Sequence, residues 1–148
     1  MAALKGALDG ARVLALDASL FIYLVEKHPV FHAKVAPIFA ALDAGEVRGV
    51  TSTLTLLEVL VKPFESGATA LIDTFRIAIM RSPHLQVVPV ETPIAELAAM
   101  IRAERKYRTP DAIHLATAQH AGADAFVTND ARLASFAGVR VVGLDALP

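Results

Sequence analysis

The chain has 148 residues, a formal net charge of −1 and no cysteine, which excludes disulfides, thiolate metal sites and an overall basic field for holding nucleic acid. Hydrophobic residues make up 55% of it and the mean hydropathy is +0.51, yet the longest apolar stretches, such as Val13 to Val25 and Leu54 to Val61, are broken by Asp17 or Glu58. They fall short of the roughly 20 residues that a membrane-spanning helix needs, so the apolar excess predicts a sheet buried on both faces, with an apolar surface left for a partner.

No repeat and no Ser/Gly-rich linker interrupts the chain, and a single domain over residues 1–148 is expected. The first residues carry no continuous apolar segment with a cleavage site, so no signal peptide is expected, and the absence of cysteine fits a cytoplasmic location. Met1 to Ala11 reads as a loose or helical leader, a possible N-terminal extension. Arg12 to Leu16 then forms an apolar strand that stops at Asp17 and gives way to a helix from Leu20 to Val25. A strand apolar at nearly every position is covered on both faces, and ligand sites in such sheets lie beyond the carboxyl ends of the strands. Asp17 is therefore placed for chemistry, although an acid there equally serves as a helix cap.

His28-Pro29 makes a break before an amphipathic helix through Phe31, Val35, Ile38, Phe39 and Leu42 that ends near Gly45. His28 and His32 have a metal-binding spacing, but Pro29 puts His28 at or before the helix start and no carboxylate completes the set. Gly49 to Thr51 reads as a second strand, with Ser52 or Thr53 capping a helix that carries Leu54, Leu57, Glu58 and Val61. Glu58 has apolar neighbours on both sides, where a charged side chain needs a partner; alternatively it lies on a polar stripe with Thr55, Lys62 or Glu65. Pro63 is expected to end this helix.

The next helix, about Thr69 to Met80, brings Arg76 and leads to Arg81, and Leu85 to Val90 reads as the third strand. Thr92-Pro93 opens a long helix, with Thr92 as cap and Pro at the first helical position. It runs through Leu97, Met100 and Ile101 to a basic end, Arg102 to Arg108, explained equally by the helix dipole or by phosphate binding. Thr109-Pro110-Asp111 starts a further helix with an acid in its first turn, a place the dipole favours. His114, one turn on, is either a partner to a site residue or a satisfied core or surface histidine. Ala125 to Asp130 is a fourth strand stopped by polar residues, although Asn-Asp is also ordinary turn chemistry. Val139 to Gly143 makes a fifth, edge strand.

Singly, each acid has a structural explanation; jointly, a right-handed α/β arrangement puts Asp17, Glu58, Asp111 and Asp130 at one end of the sheet. Two carboxylates about 4 Å apart repel by on the order of 4 kcal/mol at an effective dielectric near 20, so such a cluster needs a counter-ion. Hard oxygen donors without Cys or a His pattern select Mg2+ or Mn2+, which in an open site polarises a phosphate and lowers the pKa of bound water. Other phosphate and acyl chemistries lack their marks: there is no G-x-S-x-G elbow, no G-x-x-x-x-G-K loop, no second acid beside Asp17 and no Lys after Lys106.

The ordered segments Leu16-Asp17-Ala18-Ser19, Thr55-Leu56-Leu57-Glu58, Pro110-Asp111-Ala112-Ile113-His114-Leu115-Ala116 and Val127-Thr128-Asn129-Asp130 resemble the motifs of PIN-domain ribonucleases, especially the VapC-type toxins of bacterial toxin–antitoxin pairs. The resemblance spans about Arg12 to Leu144. It implies a three-layer α/β/α domain with a central, mostly parallel five-stranded sheet, acting as a metal-dependent endoribonuclease. By the same resemblance Asp17, Glu58 and Asp111 hold Mg2+ (or Mn2+), Asp130 completes the set directly or through water, and Ser19, Thr128 and Asn129 place waters or phosphate oxygens. It implies a homodimer, and a small antitoxin lying across the site, often with an Arg on the acids. Two features depart from the pattern: the leader Met1 to Ala11 is longer than usual, and without net positive charge the RNA grip falls to Arg76, Arg81, Arg105, Lys106 and Arg108 as candidates. The competing expectation is a catalytically silent PIN-like module that binds a protein or RNA partner.

Overall fold

The computed structural model describes residues 4–148, so the first three residues of the leader lie outside it. In chain order the elements are β1 (Val13–Leu16), α1 (Ala18–Val25), α2 (His32–Asp43), β2 (Arg48–Ser52), α3 (Thr53–Ser66), α4 (Thr69–Met80), β3 (Leu85–Val88), α5 (Thr92–Arg105), α6 (Thr109–His120), β4 (Ala125–Thr128) and β5 (Val141–Gly143). The strands form one sheet in the order β3-β2-β1-β4-β5. Every pairing is parallel, with Leu14 of β1 opposite Gly49 on one side and Ala125 on the other.

The alternation of side chains along the strands makes the three layers. Leu14 and Leu16 of β1 and Ala125 and Val127 of β4 face a core shared with α1 to α4. Ala15 and Phe126 point the other way, into a core with Ile94, Ala98 and Ile101 of α5 and Ala112 and Leu115 of α6. Because strand order reverses between β1 and β4, the crevice at their carboxyl ends is the topological switch point. Asp17 and Asp130 follow those two strands.

Several boundaries differ from the sequence reading. Of the two readings of the leader, loose or helical, the described part takes the second: Gly6–Leu8 forms a short 3-10 helix, Leu8 is 1% exposed, and Leu4 and Ala7 pack on the same core as Leu147. Arg140 fastens it by donating to the Ala7 carbonyl. Pro63 lies inside α3 and does not end it. A proline forfeits one hydrogen bond to the preceding turn, and the helix continues to Ser66, where Gly67, at φ 65°, supplies the left-handed closure. Glu91 and Arg108, not the threonines, occupy the cap positions of α5 and α6, one residue earlier than expected. β3 stops at Val88, before Pro89, which has no N–H to give the ladder, and β5 begins only at Val141.

His28 lies in the turn before α2, and its Nδ1 accepts from the backbone amides of Val30 and Phe31, so one ring nitrogen of the His28/His32 pair is engaged in closing that turn. Leu57, Val61, Phe64, Ile77 and Met80, all on α3 and α4, are exposed, which accounts for part of the apolar excess. Among the described residues no helix is long and apolar enough to cross a membrane.

Candidate active site

Asp17 stands at the cap position of α1, yet its side chain makes no capping hydrogen bond. The carboxylate instead accepts from Thr128 Oγ1, 2.6 Å from its Oδ2, across the β1–β4 crevice. Burial pushes the Asp17 carboxyl up from its ordinary range; nearby His114 and the Thr128 hydrogen bond pull it back in part, and the negative charge of Glu58 pushes it further up. Asp17 is thus tied across the crevice to Thr128, and Glu58 is its neighbour.

Glu58 is aimed by its own helix start. Thr51 Oγ1 donates to the Leu16 carbonyl at 3.0 Å and pairs with Thr55 Oγ1 at 2.7 Å, which ties the first turn of α3 to the end of β1. Ser52 caps the helix by accepting from the Leu54 amide. Thr55 is fully buried and so belongs to no exposed polar stripe; Glu58, one turn on, is one-third exposed and meets α6. His114 Nε2, buried at 5%, donates to Glu58 Oε1 at 2.5 Å. His114 is thus both a satisfied core histidine and the partner of a site residue.

The other two acids hold cations of the protein itself. Asp111, in the first turn of α6 and 12% exposed, takes Arg108 Nε on Oδ2 at 3.1 Å, and Arg132 Nη2 lies 3.6 Å from the same oxygen. Asp130 takes Arg132 in a fork, Nε on Oδ1 at 3.0 Å and Nη2 on Oδ2 at 2.5 Å, and the guanidinium holds its carboxyl below the ordinary range. Thr128 links the halves, since its hydroxyl donates to Asp17 and accepts from the Asp130 amide at 3.0 Å. Asn129 Nδ2 donates to the Tyr23 hydroxyl at 2.8 Å. Ser19 Oγ, in the first turn of α1, is buried without a hydrogen-bond partner in the structure.

Thr128 joins Asp17 to the backbone of Asp130, and Arg132 bridges Asp130 and Asp111, but among the described residues no three His, Asp or Glu side chains are close enough to hold a metal ion as they stand. Of the five basic candidates, Arg108 is the one in contact with an acid of the set. Arg76 on α4 pairs with Asp73 at 3.9 Å and lies over the Phe64 ring. Arg81 follows the end of α4, and Arg105 and Lys106 close α5, Lys106 with φ 57°. Arg132 was not legible as a site residue. Its only signal in the sequence is its place two residues after Asp130.

The donor chemistry suits a hard divalent cation at the Asp17 end. A partly buried carboxylate raised by burial, a like-charged neighbour and a buried hydroxyl without a partner are each relieved by a cation with bound water. At the Asp111 end the oxygens are taken by guanidinium groups.

These features define an α/β protein with an acid-lined crevice at the switch point of a parallel sheet. The sequence matches the PIN domain over residues 14–139, and the chain belongs to that family, whose nucleases generally use a divalent metal. Among curated proteins no sequence match is found. The fold is similar to that of a toxin–antitoxin complex from Klebsiella pneumoniae, at 25% identity and TM-score 0.67, covering 88% of this chain and 97% of that one. It is also similar to VapBC2 from Rickettsia felis bound to a promoter DNA fragment, at 14% identity, TM-score 0.68 and coverage of 88% and 98%. VapC20 of Mycobacterium tuberculosis, a toxin that cleaves the sarcin–ricin loop, matches at 21% identity, TM-score 0.64 and coverage of 86% and 98%.

Proposed function

We propose that this protein is a metal-dependent endoribonuclease, the toxin of a toxin–antitoxin pair. The observation that carries the reading is Asp17: a partly buried carboxylate at the switch point that declines the capping role its position offers, with Glu58 beside it. Membership of the PIN family and the toxin–antitoxin neighbours support it.

In this reading Asp17, Glu58 and Asp111 hold Mg2+ or Mn2+, and Asp130 completes the set. When bound, the ion supplies Lewis-acid polarisation of the phosphate and a water of lowered pKa. The protein's own groups do the positioning. Thr128 fixes one oxygen of Asp17, leaving the other for the ion, and His114 fixes one oxygen of Glu58 in the same way. The Ser19 hydroxyl orients a water or a phosphate oxygen, and Asn129 braces the loop through Tyr23. Arg105, Lys106 and Arg108 lie on the approach from α5 to α6 and grip the RNA backbone, with Arg76 and Arg81 as a second basic group on and after α4. The exposed apolar face of α3 and α4 suits a homodimer contact or a small antitoxin, and a chain without cysteine fits a cytoplasmic site of action.

A second reading, a silent PIN-like module that binds a partner, is favoured by the guanidinium groups already seated on Asp111 and Asp130. Incubating the purified protein and an Asp17→Asn variant with mixed RNA, in Mg2+ or Mn2+ and in chelator, separates the two. Nuclease action requires cleavage only by the unsubstituted protein with metal. Cleavage in no lane supports the binding module.

A further inference from the structure

Arg132 is the cation that two of the acids hold. It grips both oxygens of Asp130, and its Nη2 lies 3.6 Å from Asp111, whose nearer cation is Arg108 at 3.1 Å. The two carboxylates are shielded, 24% and 12% exposed, whereas the arginine side chain is 60% exposed and enters from solvent. An exposed guanidinium on acids is held weakly and screened by salt. A divalent ion brings twice the charge to the same oxygens and so competes with the guanidinium for them. A displaced group cannot go far: Leu133, the next residue and 1% exposed, anchors the backbone of the 3-10 turn Ala131–Ser135. A guanidinium released there carries paired donors suited to two phosphate oxygens.

We propose that Arg132 is a two-position residue, the counter-ion of Asp130, shared at longer range with Asp111 beside Arg108, in the free protein and a ligand of the substrate phosphate once a divalent cation has taken those acids. This rests on the nuclease reading above. It differs from the five basic residues named from the sequence in that the same side chain opposes metal binding and assists substrate binding, two effects of opposite sign.

The test uses the full chain, Arg132→Gln and Arg132→Lys, with circular dichroism to check folding. Mn2+ affinity is measured by calorimetry without RNA, and kcat/KM on RNA at saturating Mn2+. Arg132→Gln is expected to bind Mn2+ about tenfold more tightly, as removal of one adjacent positive charge requires, and yet to lose about tenfold or more in kcat/KM. Arg132→Lys, with a charge but no fork, is expected to show near-wild-type Mn2+ affinity and intermediate turnover. Unchanged or weaker Mn2+ binding by Arg132→Gln means that Arg132 only props the turn, and overturns the proposal; so does unchanged kcat/KM. If the unsubstituted chain neither binds Mn2+ nor cuts RNA, the nuclease reading itself fails and takes this proposal with it.

Discussion

Removing the imidazole of His114 tests whether the structure holds Glu58 in place or merely happens to pass near it. His114 is 5% exposed and its Nε2 is the one protein donor seen on Glu58 among the described residues. His114→Ala deletes a buried ring between α6 and α3 and a hydrogen bond to a carboxylate. Such a bond contributes about 1.5–3 kcal/mol when charged, but Glu58 is one-third exposed and recovers water, so the lower end applies. Adding the lost packing of a side chain smaller than Leu gives about 2–3 kcal/mol in all. For a chain of this length that is a fall in Tm of roughly 4–12 °C. His114→Gln, which keeps an N–H donor, recovers part of it. The assay is thermal unfolding followed by Mn2+ titration of each variant at a temperature where all are folded. If His114 holds Glu58 in place, His114→Ala binds Mn2+ several-fold more weakly, with His114→Gln between it and the unsubstituted chain. A His114→Ala protein as stable as its parent, with the same Mn2+ affinity, would refute it.

Further outcomes follow from other contacts. Because the Asp17 carboxyl is raised, the folded state holds its proton more tightly than the unfolded chain, and stability falls as pH rises from about 4 through the raised value; Asp17→Asn is therefore expected to melt a few degrees higher than its parent at pH 7 and to lose the stabilisation by Mn2+. Asp130 has the opposite sign: its carboxyl is lowered, so its pairing with Arg132 stabilises the fold above the unfolded value and the contribution is lost as pH falls through the lowered one, which urea melts of Arg132→Gln and its parent across pH 2–5 would reveal as convergence at the acid end. Gly49→Ala sets a Cβ 2.8 Å from Leu42 Cδ1 and 2.9 Å from Leu85 Cδ1; overpacking at β2 is expected to cost about 1–3 kcal/mol in a denaturant melt without altering the acids.

What the sequence made legible and what it hid divide along physical lines. β1 and β4 were readable because a short apolar run, four residues in β1 and three in β4, gives way to polar residues that include an acid, a local pattern that needs no tertiary knowledge. α3 was placed, but Pro63 suggested an early stop, since proline's cost in one hydrogen bond is local whereas the packing that outweighs it, Val59 and Leu60 against the core, is not. The leader's role depended on Leu147, at the far end of the chain. In the site, the presence of the four carboxylates could be read from their motifs. Their pairing could not: Thr128 serves Asp17 and Asp130 at once, and Arg132 sits on Asp130 through a turn that has no periodicity to announce it.

Crystals grown with Mn2+ and measured for its anomalous scattering show whether the acids beyond β1 and β4 hold a divalent ion, as the proposed cleavage of RNA needs. A peak is expected within about 2.2 Å of carboxylate oxygens of Asp17 and Glu58, with the Arg132 guanidinium moved off Asp130. Density for Mn2+ elsewhere on the protein, with Asp17 still bonded only to Thr128 and Arg132 still seated on Asp130, would contradict the proposal.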